Sequence, residues 1–124
     1  MENQLIVLEN DHCVFFDVDD TLIMWKRHDD NAKIVSIYEP SLKVTQDLYV
    51  NEAHVELLKR IHGRGKQIIV WSHGGWAWAE AVVNELGISE YVYAVMTKVE
   101  DYVDDRDLKE YISKNLYIKN YYGS

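Results

Sequence analysis

The chain has 124 residues, 48% of them hydrophobic, which is enough for one domain with an apolar core. Its 13 Lys and Arg face 21 Asp and Glu, a formal net charge of −8 that argues against extended contact with a nucleic-acid backbone. The single cysteine, Cys13, excludes an internal disulfide and a Cys-x-x-Cys zinc site, and a reducing intracellular setting is expected.

The first segment, MENQLIVLEN, lacks the basic start and long apolar run of a signal peptide. No apolar stretch is long enough to span a bilayer, so a cytoplasmic protein without membrane contact is expected. Cys13 to Phe16 is a short apolar run that ends abruptly in acid, as a buried parallel strand does at a functional edge. Residues 26–33 are polar and read as loop. Ile34 to Tyr38 and Leu42 to Val50 are β-prone and flank Pro40-Ser41, which predicts a hairpin or flap over about 26–50. Asn51 can cap a helix to about Ile61, with Val55, Leu58 and Ile61 on one face. Gly63 and Gly65 end it.

Gln67 to Trp71 is a second buried strand, and Ser72-His73-Gly74-Gly75 a turn. A helix then runs from about Trp76 to Leu86. Trp76, Ala79, Val83 and Leu86 are placed on its core face, Trp78 off it, and Gly87 at its C-terminal end. Tyr93 to Met96 is a third strand, Tyr102-Val103 a very short fourth, and Leu116 to Ile118 a fifth. Asp105 can cap a helix from about Asp107 to Ser113. Strands alternating with helices predict one α/β domain over residues 1–124, with a Rossmann-like parallel sheet and helices on both faces. Ligands of such sheets sit outside the carboxyl ends of the strands. The polar residues there form one chemical set: Asp17 and Asp19, Ser72, Lys98, then Asp104 and Asp105.

Phosphoryl transfer needs such a set. A carboxylate can attack phosphorus. A second carboxyl protonates the leaving group and then activates water. A hard divalent cation takes oxygen ligands and offsets charge. Further donors hold the non-bridging oxygens.

The segment VFFDVDDTL, Val14 to Leu22, resembles the first motif of the haloacid dehalogenase superfamily, a hydrophobic strand followed by Asp-x-Asp-x-Thr. Asp20 stands where glycine is often found. IIVWS resembles the second motif and ends on Ser72; Lys98 fits the third; YVDD, Tyr102 to Asp105, fits the fourth. The resemblance implies that Asp17 is the nucleophile and Asp19 the general acid/base. It also implies that Thr21, Ser72 and Lys98 serve the phosphate. Mg2+ would be held by Asp17, Asp19 through its main-chain carbonyl, and Asp104, alone or with Asp105. Gly74 and Gly75, before a helix, can turn backbone N–H groups towards an anion. His73 is a candidate contact in the same turn, against the plain alternative of an exposed histidine.

Only residues 99–103 separate Lys98 from Asp104, a compressed link that resembles the deoxyribonucleotidases of that superfamily. Residues 22–50 have room for a flap but not for a cap domain, so the chain resembles the capless members. The reading is a magnesium-dependent hydrolase of a small phosphomonoester. Its rivals are a nucleotide-specific nucleotidase or nucleic-acid end phosphatase, the latter opposed by the charge, and a non-catalytic module that binds an anion or a partner. Trp25, Lys26 and Arg27 stand between substrate contact and solvated loop. Tyr121 and Tyr122 suggest self-association, with a second copy as lid.

Overall fold

Alternation decides the first strand. In the computed structural model, which describes residues 12–112 and 114–119, β1 (Cys13–Asp17) buries Phe16 while Cys13 and Phe15 remain exposed. β5 (Gln67–Ser72) repeats the pattern, with Ile68, Val70 and Ser72 buried. The two strands pair in parallel, Phe16 opposite Val70 and Asp17 opposite Trp71. β6 (Ala94–Thr97) adds on the far side of β5, with Ser72 opposite Thr97. The order is therefore β1-β5-β6.

Between β1 and β5 lie a second sheet and a helix. β2 (Ile23–Met24), β3 (Ile34–Glu39) and β4 (Val44–Val50) form an antiparallel sheet in the order β2-β4-β3. The hairpin expected after the first strand is thus present, and β2 is an element that the sequence reading lacked. It is more than a flap. Ile37 and Leu48 are fully buried and join one core with Val18, Leu22, Ile68 and Val70. Each such side chain contributes roughly 1.5–3 kcal/mol through its burial. β3 packs against the second helix.

The first helix, α1 (Glu52–Gly63), starts as expected: Asn51 Oδ1 accepts the His54 N–H. Val55, Leu58 and Ile61 face the core, and so does His54. The second, α2 (Trp76–Glu85), corrects the predicted face. Trp78, Ala79, Val82 and Val83 are buried, whereas Trp76 is 56% exposed. Helical side chains lean towards the N-terminus, so a residue in the first position overhangs the end of the helix rather than the sheet.

Three further expectations fail. Tyr102-Val103 is not a strand, and Val103 is wholly exposed. Leu116 to Ile118 is not a strand either. The helix expected from Asp107 is a single 3-10 turn, Leu108–Glu110, capped by Asp107 rather than Asp105; Ser113 lies outside the described residues. Both crossovers step the same way, β1 to β5 to β6, and right-handed crossovers then lay both helices on one face. The described residues show that asymmetry. Phe16, Ile68 and Val70 are buried on one face, while Phe15, Ile69 and Trp71 are only partly covered on the other. The described residues form a small mixed α/β domain with a three-stranded parallel sheet and two helices, rather than a sheet covered on both sides. No helix among the described residues is long and apolar enough to cross a membrane.

Candidate functional site

The turn after β1 winds around one carbonyl. Val18 is fully buried, and its oxygen accepts from the N–H groups of Thr21, Leu22 and Ile23. This tight path needs a left-handed residue, and Asp20 supplies it at φ 60°. Short polar side chains tolerate that region better than most, which explains why the glycine position of the motif accepts aspartate. The Asp20 carboxylate then accepts the Trp25 N–H at 3.1 Å and fixes the exit of the turn.

The turn presents two carboxylates with different surroundings. Thr21 Oγ1 donates to Asp17 Oδ2 at 3.1 Å, and Lys98 Nζ lies 3.6 Å from Asp17 Oδ1. Lys98 also sits 5.6 Å from the centre of the Trp71 ring. Asp19 is held by three donors. Oδ1 accepts the indole N–H of Trp25 at 2.9 Å and of Trp78 at 3.1 Å. Oδ2 accepts from Ser72 Oγ at 3.3 Å.

Ser72 is fully buried at the end of β5. Its Oγ accepts the Gly74 N–H at 2.9 Å, and its carbonyl accepts from Gly75 and Lys98. Gly74 fits closely here: a Cβ would stand 3.2 Å from Trp78 Cδ1 and 3.3 Å from Ser72 Oγ, so those side chains would have to shift. The Trp76 N–H donates to Thr97 Oγ1, which ties the start of α2 to the end of β6 and so places Lys98.

The structure therefore brings Asp17, Asp19, Thr21, Ser72, Gly74 and Lys98 together, with two changes of detail. Thr21 serves Asp17 rather than open space, and the Ser72 hydroxyl and Gly74 N–H are turned inward towards Asp19 and each other. His73 is exposed in the turn. Asp104 and Asp105 are not gathered in. Both are exposed, and Asp104 accepts from the Arg106 N–H at 3.0 Å and from Tyr111 Oη at 3.1 Å. Those local bonds, first that of Arg106, then those of Asp105 and Tyr111, hold the Asp104 carboxyl below the usual carboxylate range.

Trp25, left open above between substrate contact and solvated loop, belongs to the site, and so do Trp78 and His54. Trp78 and Trp25 supply the Asp19 donors; the signal was an acidic turn rich in acceptors and poor in nearby donors. His54 supports the turn from below. It is 1% exposed, its Nδ1 donates to the Thr21 carbonyl at 2.7 Å, and its Nε2 accepts the Ile118 N–H at 2.9 Å. A carbonyl can only accept and an amide N–H can only donate, so these partners fix the tautomer. Its place on the stripe with Leu58 and Ile61 was the available signal. Tyr117 closes the same corner: its Oη donates to the Asp20 carbonyl at 3.0 Å, and its ring meets the His54 ring edge-on. Tyr121 and Tyr122 lie outside the described residues.

Among the described residues, no group of three or more His, Cys, Asp or Glu side chains is placed to hold a metal ion. Magnesium asks for less: one or two carboxylates, with water and phosphate oxygens completing the shell. The Asp17 carboxylate and the Asp19 main-chain carbonyl, on one turn, are hard oxygen donors that fit that demand. A surface hollow of about 410 Å³ opens beside Gln67 and Tyr93, at the other end of the parallel strands from this site. Comparisons with protein-family models, with characterised proteins and with solved structures gave no match to this chain.

Proposed function

We propose that this chain is a magnesium-dependent phosphomonoester hydrolase of the haloacid dehalogenase type, acting through an aspartyl-phosphate on Asp17. The observation that carries the reading is the division of labour between two carboxylates of one turn. Asp17 is paired with a lysine and Asp19 is held by neutral donors.

Thr21 occupies Asp17 Oδ2, which leaves Oδ1, beside Lys98, as the attacking atom. Oδ1 attacks phosphorus in line, and the bond from phosphorus to the ester oxygen breaks. Asp19 gives its proton to that oxygen as it leaves. Water then attacks the aspartyl-phosphate, Asp19 takes its proton, inorganic phosphate departs and Asp17 is restored. Lys98 offsets the negative charge of carboxylate and phosphate throughout. Magnesium, when bound, would supply the remaining charge neutralisation, held by the Asp17 carboxylate and the Asp19 main-chain carbonyl. Participation of Asp104 or Asp105 rests on the resemblance alone.

Partly exposed aromatic groups around the turn, Trp25 and Trp71, keep a nucleoside monophosphate among the candidate substrates, since every base offers a face for stacking. The test is release of inorganic phosphate from a panel of aryl, sugar and nucleoside monophosphates, with magnesium and with EDTA. Turnover that EDTA removes and magnesium restores supports the reading. No turnover on any member with magnesium would sink it.

A further inference from the structure

Asp19 Oδ1 carries two lone pairs and meets two indole N–H groups, those of Trp25 and Trp78. An indole N–H only donates, so neither tryptophan can accept a proton from this oxygen. Oδ2 differs. Its partner is the Ser72 hydroxyl at 3.3 Å, a group that can donate or accept, and one lone pair is left for another contact. The two donors on Oδ1 also come from separate parts of the fold. Trp25 follows β2 and is 44% exposed; Trp78 lies within α2 and is 3% exposed. Together they fix the rotation of the carboxylate about its Cβ–Cγ bond.

We infer that Trp25 and Trp78 are positioning residues that hold Asp19 by Oδ1 and leave Oδ2 as its only oxygen for proton exchange with the ester. This rests on the acid/base assignment of Asp19 given above. In the first half-reaction the O–H bond on Oδ2 breaks as the leaving oxygen takes the proton, and the carboxylate is left with both indole bonds intact. In the second half-reaction Oδ2 accepts a proton from the attacking water. Neither tryptophan gains or loses a proton, and neither touches the reacting atoms. Loss of either indole N–H frees the carboxylate to turn, and proton delivery suffers most where the leaving group needs it most.

The experiment has two arms on the full chain. In the first, the indole signals of the four tryptophans are compared by NMR in the wild type and in Asp19→Ala. The signals of Trp25 and Trp78, assigned by Trp25→Phe and Trp78→Phe, are expected to move; if both stay in place, the clamp does not exist. In the second, kcat/KM is measured for phenyl phosphate and p-nitrophenyl phosphate with magnesium, since this constant covers the step in which the leaving group departs. Trp25→Phe and Trp78→Phe are expected to lose about tenfold on the phenyl ester and much less on the nitrophenyl ester, which leaves without help. Equal losses on both esters, or none, would overturn the inference. Trp25 is exposed enough for its replacement to fold even if that of Trp78 does not. A wild type that turns over neither ester, with the indole signals still responding to Asp19→Ala, would overturn the phosphatase reading while keeping the clamp.

Discussion

Lys98 and Asp17 meet across the middle strand of the parallel sheet. The lysine follows β6, the aspartate ends β1, and β5 runs between them, yet Nζ and Oδ1 are 3.6 Å apart. The pair is set by backbone rather than by chance. The Lys98 N–H donates to the Ser72 carbonyl at 2.9 Å, which anchors the lysine to the end of β5.

Replacing Lys98 with alanine is therefore expected to cost activity more than stability. Both side chains are about a third exposed, so the ion pair adds little to folding. A donor aimed at developing charge is worth far more, on the order of 10²–10³ in kcat. Steady-state kinetics beside a thermal melt checks this. Lys98→Arg should recover part of the loss, because charge returns but the compact ammonium does not.

Gly74→Ala should damage the site through packing. The new Cβ would press on Trp78 and on the Ser72 hydroxyl, both of them fixed to Asp19. The expected result is a lower melting temperature together with reduced turnover. Gly63→Ala is the control: it lies at the end of α1 with nothing within 4 Å of the new Cβ, and alanine is favoured over glycine in a helix by about 0.5–1 kcal/mol. Circular dichroism melts of the two variants should move in opposite directions.

The Asp104 turn makes a prediction about acid. Its folded carboxyl lies below the ordinary value, chiefly through the Arg106 N–H, so its unfolded value is the higher of the two. The bonds to Arg106 and Tyr111 are then fully present above the ordinary carboxylate range and are lost as the pH falls through the lower folded value. NMR signals of the Tyr111 ring followed against pH should show their change below the usual aspartate range. A change at or above that range would contradict the assignment.

Much of this was legible in the residues. The apolar run ending at Asp17, the IIVW strand ending at Ser72 and the Asn51 cap each state their own structure, because burial and capping are local demands. The failures share a cause in what is not local. Tyr102-Val103 has strand-forming residues, but a parallel partner after β6 needs a crossover, and residues 98–101 give no room for one. Leu116 to Ile118 is apolar enough for a strand, yet the Ile118 N–H goes to a histidine side chain and the Tyr117 hydroxyl to the β1 turn. The face of α2 was misread because Ala79 and Val83 fit both stripes; Trp76 overhangs the helix end from the first position, and Trp78 turns inward to Asp19. The acids of the candidate site were readable; the donors that hold them required the fold.

The proposed role of Asp17 as nucleophile is tested most directly by phosphate release from p-nitrophenyl phosphate by the wild type and by Asp17→Asn, with magnesium and with folding checked by a melt. Asp17→Asn is expected to fall to background while remaining folded. A folded Asp17→Asn that keeps the wild-type rate would contradict it.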